Sequence, residues 1–274
     1  AIEAPSFDPS DFMRTGAQGL RLNTRSSSEP LKVVYGQLRV GGNDVYINSA
    51  GIDLKELWIV QTLSEGECDS IVAAYLADKT YDQYGGNVEY WFHSGSSSQT
   101  YDTNLNAADP NWTDNLRHTC YIVWHLTYDR DYFQSLPERT VILKGRKLYD
   151  FRDSSIAWSQ NPVLIAYDWL TSSRYGLGKS ASQIDTDSWT AAANYCDTKG
   201  WQLNLAVSNA NQSGWDVLQT ILMHCRCTIR QYDGKYYLHY ADTNNESSVM
   251  TLTDEHILQD ESGRAIISIN QDSM

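Results

Sequence analysis

The sequence predicts an α+β protein, with a β-rich half over residues 31–155 followed by a helix-containing α+β half over residues 156–274. Three observations carry that prediction. Apolar residues alternate most cleanly over residues 119–128: Cys120, Ile122, Trp124, Leu126 and Tyr128 share one face, and Thr119, Tyr121, Val123, His125 and Thr127 the other. After Ser159 the apolar spacing switches to threes and fours, starting at Asn161-Pro162, a cap and first-turn pair. Asp233-Gly234, set between two runs of β-formers, marks a tight hairpin.

In chain order, residues 1–30 are polar and aperiodic and read as an N-terminal arm or linker. Residues 31–40 read as a strand closed by Gly41-Gly42, and residues 57–63 as a second. The strand at 119–128 carries large side chains on both faces, so it should be central and packed on both sides. Residues 141–143 and 147–149 flank Gly145, as a short hairpin or a bulged strand. Residues 81–115 read as a loop-rich insertion, punctuated by Gly85-Gly86, Ser94-Gly-Ser-Ser-Ser98 and Asp109-Pro110. Its Tyr90, Trp91, Phe92 and Trp112 form either an interface or a local mini-core.

The helix after Pro162 places Val163, Ala166, Tyr167 and Leu170 on one face. Asp185 or Asp187 caps a second, with Trp189, Ala192, Ala193 and Cys196 inward and Gly200 beyond its end. Ser213 caps a third, striped by Trp215, Leu218, Ile221, Leu222 and Cys225. Residues 228–232 and 235–240 form the hairpin, and residues 265–269 a last strand. No internal repeat of about 20–50 residues is visible.

The chain has 274 residues, with 21 basic against 34 acidic side chains, a net charge of −13 and a pI near 4.8. With 41% hydrophobic and 20% charged residues it can bury a core, which excludes wholesale disorder. The acidic balance and the lack of a dense basic run work against sequence-independent nucleic-acid binding. The longest apolar runs, residues 162–170 and 120–126, are too short to span a bilayer. The first residues show no initiator Met, basic stretch or apolar stretch, so the chain is expected to be a piece of a longer protein. Its 5 cysteines are too sparse for a disulfide scaffold and are expected to be reduced and mostly buried. The 18 Tyr and 9 Trp against 5 Phe suit a protein interface or a sugar-binding face.

Candidate chemistry is thin. Cys225-Arg-Cys227 lacks the spacing and second pair of a zinc site. Asp129-Arg-Asp131 offers two carboxylates without an evident third ligand and reads as a turn. Glu65-Gly-Glu67 resembles half of a glycosidase pair only at a spacing that chance supplies many times over among 34 acids. His93, His118, His125, His224, His239 and His256 form no zinc-helix motif and read as structural. Gly176-Leu-Gly178-Lys-Ser180 follows a helix instead of a strand and reads as helix punctuation. Trp189, Trp215 and Tyr167 fall on helix core faces. The residues therefore point to no catalytic, cofactor-binding or metal site and to a protein that is not an enzyme.

Three ordered runs carry a family resemblance: Val141-Ile-Leu-Lys-Gly-Arg-Lys-Leu-Tyr-Asp150, Ala157-Trp-Ser-Gln-Asn-Pro162 and Tyr167-Asp-Trp-Leu-Thr-Ser-Ser-Arg-Tyr-Gly-Leu-Gly178. Val34-Tyr-Gly-Gln-Leu-Arg-Val-Gly-Gly42, Glu65-Gly-Glu67, the strand and turn over residues 121–133, and Trp215-Asp-Val-Leu218 add to the series. Together they resemble the hub region of the host-specificity or tip-attachment proteins at the tail tip of lambda-like long-tailed phages. The resemblance implies a barrel-like β-rich hub domain, a homotrimer in the assembled tail, and no catalytic residues or cofactors to carry over. It implies neighbours among tail-tip, distal tail-tube and tape-measure proteins, assembly in the bacterial cytoplasm, and a role in closing the tube and opening it for DNA ejection. The alternative is a carbohydrate-binding or receptor-binding tail module.

Overall fold

The structure is a computed structural model that describes residues 30–133, 135–208 and 212–241. The expected arm up to residue 29, the expected strand at 265–269 and His256 lie outside the described residues.

The described β-rich part runs β1 (Val33–Tyr35), β2 (Gln37–Val40), β3 (Asn43–Ala50), β4 (Glu56–Glu65), β5 (Cys68–Leu76), β6 (Lys79–Thr80) and β7 (Val88–His93). Then come helix α1 (Thr103–Ala108), β8 (Thr119–Thr127), β9 (Arg139–Asp150) and β10 (Ser155–Trp158). The remainder is α2 (Pro162–Thr171), α3 (Thr186–Lys199), β11 (Leu205–Val207), α4 (Gly214–Met223), β12 (Cys227–Tyr232) and β13 (Lys235–Tyr240). This is the expected α+β order. All strand pairings named in the ladders are antiparallel, and no sheet among the described residues closes into a barrel.

Two sheets share a core. One has the order β3-β4-β8-β7; the other is built on β9, which pairs β5 on one edge and β2 then β10 on the other. Ile59, Leu63, Ile122 and Trp124 from the first sheet meet Val40, Ala74, Val141 and Leu143 from the second. The period of two then sends Trp58, Val60, Tyr121 and Val123 to the opposite face of the first sheet. There Leu105 of α1 and Trp112 cover them. Strand β8 is thus buried on both faces, as its sequence predicts, although Tyr128 falls outside it and is 56% exposed.

The expectation of a loop-like insertion is corrected, because residues 81–115 contain the edge strand β7 and helix α1. Phe92 and Tyr90 pack against the inter-sheet core, while Trp91 and Trp112 join the outer layer, so two of the four extend the main core and two build a mini-core. Gln99 anchors the segment: its side-chain oxygen accepts from the Gly95 N–H at 2.7 Å, and its amide nitrogen lies 2.9 Å from the Leu116 carbonyl oxygen. Buried amides of this kind organise a loop because every backbone group they satisfy is one that water no longer reaches.

The expected strand over residues 31–40 is two strands in two different sheets. Its β1 part pairs β11, whereas β2 pairs β9. The break is Gly36, at φ 68, where a Cβ would come 2.2 Å from the Asn204 side-chain oxygen. Neither a hairpin nor a bulge occurs at Gly145, since β9 runs straight through it. The register shift lies in the partner instead, between Ile71 and Ala73 of β5. Strands β3, β5, β6, β10 and β11 had no sequence-based expectation.

The helices follow their caps. Asn161, Asp185 and Ser213 each accept a hydrogen bond from a first-turn N–H, and Gly200 closes α3 in the left-handed conformation. Their buried faces, with Trp169, Trp189, Ala193, Leu218 and Ile221, form one core with Tyr35 and the β12–β13 hairpin. Trp215 corrects an expectation: it is 38% exposed, and Val217 takes the inward place. The hairpin turns at Asp233 (φ 49) and Gly234 (φ 72), two successive left-handed residues as a two-residue turn requires.

Gly145 has no room for a side chain, because a Cβ there would lie 2.2 Å from the Val34 carbonyl oxygen. Gly200 has open space and only its φ of 65 to constrain it. Gly145→Ala is therefore expected to lower stability by roughly 1–3 kcal/mol through overpacking, and more than Gly200→Ala. Urea midpoints of the two variants check the order.

Candidate functional site

The described residues offer three concentrations of polar or exposed chemistry: a part-buried junction at Asp168, a histidine and aromatic layer outside the first sheet, and an apolar pocket at one end of the sandwich. Among the described residues no group of three His, Cys, Asp or Glu side chains is arranged to hold a metal ion. No described helix is long and apolar enough to cross a membrane.

Asp168, on the polar side of α2, gathers groups from three directions. Tyr35 of β1 and Tyr175, beyond the end of α2, donate their hydroxyls to its Oδ2 at 2.6 and 2.7 Å. Arg146 of β9 points Nε at both carboxylate oxygens, each 3.2 Å away. Burial pushes the Tyr35 hydroxyl far up and the neighbouring Asp168 charge pushes it further, so it stays a donor. Burial likewise raises Tyr175, with Asp168 adding to it. For Arg146 burial acts against the charge, and Asp168 together with Tyr175 and Tyr35 outweighs it. Close by, the exposed Arg174 pairs with the buried Glu65. Every polar group in this arrangement is engaged with another member of it, and its chemistry is that of a fastener.

The outer layer holds two of the sequence-derived histidines. His93 lies 2.7 Å from Asp102 and stacks on Tyr121 with ring centroids 4.3 Å apart. Asp102 also caps α1 through the Leu105 N–H. Burial opposes its charge, but the bonds from His93 and Leu105 outweigh burial and hold its carboxyl below the ordinary range. His125 stacks on Trp58 at 4.2 Å and faces Glu56 at 3.3 Å and Glu89 at 3.1 Å. The indole N–H groups of Trp58 and Trp112 and the Tyr121 hydroxyl are buried without a hydrogen-bond partner.

The other sequence-derived candidates are scattered. Asp129 starts a turn, with its side chain accepting from the Asp131 N–H at 2.9 Å. Glu67 pairs with Lys147 at 2.8 Å, whereas Glu65 pairs with Arg174, so each carboxylate is engaged by a different cation. His224 contacts the Thr220 carbonyl at 2.8 Å, His118 sits in a tight turn at φ 62, and His239 lies in β13. Gly176 and Gly178 follow α2, as expected of helix punctuation, and the Gly178 N–H bonds the Ser172 carbonyl at 2.9 Å. All five cysteines are free and buried. Cys196, Cys225 and Cys227 share the helical core, where hydrogen bonding to Cys196 and then to Cys227, with burial, holds Cys225 as a neutral thiol.

What sequence reasoning missed is the Asp168 junction and the pocket. The pocket is an open groove of about 310 Å³ lined by Leu54, Leu57, Leu126, Tyr128, Phe133 and Leu136. Its residues come from two turns distant in sequence, so no local pattern announces it.

Two outcomes test the polar groups. Asp168→Asn leaves the Arg146 guanidinium without its countercharge and is expected to cost about 2–4 kcal/mol, whereas Lys55→Ala, in the exposed pair with Asp53, should cost under about 0.5 kcal/mol. Equal urea midpoints for the two variants would contradict the junction. Asp150 accepts three side-chain bonds from Arg152, of 2.9, 3.2 and 2.7 Å, which lower its pKa in the folded state. Its stabilisation is complete above the unfolded-state value of about 3.9 and disappears as pH falls through the lower folded value. Asp150→Asn should thus be less stable near neutrality but lose stability less steeply below about pH 4, which urea titrations across that range measure.

Comparison with known proteins gives a likeness of shape. No family model and no curated protein matches the chain. A chain in the solved virion of a native gene transfer agent particle matches with a TM-score of 0.57 and 16% sequence identity, over 89% of this chain and 59% of that one. The present chain therefore corresponds to a little over half the length of that virion chain, and at this identity the likeness is one of fold.

Proposed function

We propose that this chain is a structural component of a phage-like virion and that it forms part of the tail-tip hub. The observation that carries the reading is the fold likeness to a chain of a gene transfer agent virion across 89% of this chain. The ordered runs shared with the tip-attachment family point the same way. Three of them, over residues 34–42, 141–150 and 167–178, contain all four members of the Asp168 junction. In this role the chain works as a rigid block: its two cores are fastened together and its surface supplies the ring and neighbour contacts of a trimeric hub that closes the tail tube. The hub links the tube to receptor-binding modules and opens for DNA ejection.

The alternative of a carbohydrate-binding module rests on the excess of Tyr and Trp, of which Trp91 and Trp112 belong to the mini-core. No arrangement of nucleophile, base and acid is gathered at the pocket, whose lining is Leu, Phe, Tyr, Ser, Lys and Pro.

Purified particles from a strain that encodes the chain provide the test. Antibody-gold labelling is expected at the distal end of the tail, with threefold symmetry in averaged images of the tip. Absence of the chain from purified particles overturns the virion role. Label along the tube or on the head overturns the hub placement alone.

A further inference from the structure

Three of the five cysteines meet in the helical core, although they come from three segments. Cys196 lies in the last turn of α3, Cys225 just beyond α4, and Cys227 opens β12. Contacts on both sides draw these segments together. Tyr240, the cross-strand partner of Cys227, stacks on Tyr195 with ring centroids 4.4 Å apart, so the end of α3 sits over the start of β12. On the other side the Arg226 guanidinium lies 5.8 Å from the centre of the Trp201 ring, and the Trp201 N–H bonds the Cys196 carbonyl at 3.0 Å. Earlier in α3 the same alignment holds: the Trp189 indole N–H donates to the Tyr236 carbonyl at 3.0 Å, and the Leu238 N–H to the Ser188 hydroxyl at 3.2 Å.

The backbone between Cys225 and Cys227 is strained. Arg226 is at φ 51, a left-handed conformation that costs a residue with a long side chain, and both flanking cysteines face the core. There the thiols of Cys225 and Cys227 are each hydrogen-bonded to Cys196. Those two bonds lower the Cys196 thiol below its ordinary value, against burial and the charge of Asp197. The cysteine pair in the inter-sheet core behaves differently, because burial and contact with Cys68 push the Cys120 thiol well up. The thiolate is the form that attacks an oxidant, so Cys196 is the sulfur that reacts first.

We propose that Cys196 and Cys227 are an oxidation site, at which a peroxide converts the two thiols into a disulfide that ties α3 to the β12–β13 hairpin. The Cys196 sulfur attacks one peroxide oxygen and the O–O bond breaks. The departing oxygen takes the Cys196 proton and leaves as water, and Cys196 becomes a sulfenic acid. The Cys227 sulfur then attacks the Cys196 sulfur, the S–O bond breaks, and the hydroxyl leaves with the Cys227 proton as a second water. Two electrons thus pass from the two thiols to the peroxide. A peroxide is little larger than water, which suits sulfurs in residues exposed by 5% or less. Among the described residues the hairpin's strands pair only with each other, apart from one bridge between Ile184 and Tyr236, so a covalent tie to α3 adds an anchor that the ladder lacks. The site does not depend on the virion reading.

The test treats the full chain with hydrogen peroxide, alkylates the remaining thiols in denaturant and maps the peptides by mass spectrometry without reduction. The expected product carries one bridge, from Cys196 to Cys227, with Cys68, Cys120 and Cys225 alkylated. The oxidised chain should unfold about 5 °C or more above the reduced one, because the bridge closes a loop of about 30 residues, and dithiothreitol should return the midpoint. In Cys227→Ser the sulfenic acid has no second thiol at that position, so dimedone should label Cys196 in place of the bridge. The map of the unaltered chain decides the matter by itself if that variant does not fold. Five alkylated cysteines after oxidation, a bridge that includes Cys225, or a bridge between Cys68 and Cys120 that forms before any at Cys196 overturns the proposal.

Discussion

Asp168 accepts two phenolic hydroxyls and faces a guanidinium, and its three partners come from β1, β9 and the segment after α2. A carboxylate in that position costs several kcal/mol to desolvate unless each lone pair is used, so the partners cannot drift apart without exposing the cost. The same segments lead into different cores. Val33 and Tyr35 of β1 belong to the helical core, whereas Val34 between them belongs to the core shared by the two sheets. The polar cluster therefore fixes how the strand twists between the two apolar regions, and hydrophobic burial on either side supplies the bulk of the stability.

Strand β9 depends on the same arrangement. It carries β5 on one edge and both β2 and β10 on the other, and at Gly145 it passes against the Val34 carbonyl with no space for a methyl group. Arg146, the next residue, then turns toward Asp168. The glycine permits the close approach and the arginine exploits it, which explains why a residue that weakens an ordinary strand interior stands at the middle of this one. Gly36 does the complementary work on the facing segment: its positive φ lets a continuous run leave one sheet and enter another.

Much of this was legible in the sequence where local pattern suffices. The caps Asn161, Asp185 and Ser213, the hairpin at Asp233-Gly234 and the two-faced burial of β8 all follow from spacing within a few residues, and the structure has each of them. Errors appeared where a distant partner decides. Gly145 looked like an interruption because sequence does not show Val34 lying across it, and residues 31–40 looked like one strand because Gly36 breaks the pairing partner and not the apolar run. The aromatics Trp91 and Trp112 were undecidable from a Ser/Gly-rich stretch; their burial depends on Gln99, whose bonds reach to Leu116 and Thr119. The Asp168 junction was invisible for the same reason. Its residues stand at positions 35, 146, 168 and 175, each unremarkable in its own window.

Strain and satisfaction are distributed unevenly over this molecule. At the junction every oxygen of Asp168 has a donor, and the flanking tyrosines remain protonated because burial raises their pKa. At the β3–β4 turn the opposite holds: two residues adopt a disfavoured backbone and their apolar neighbours stay in water. A chain under no constraint beyond its own stability would exchange Leu54 for glycine or a polar residue, gaining on both counts. The turn therefore carries a local backbone cost that the burial and hydrogen bonding of the two strands it joins must offset.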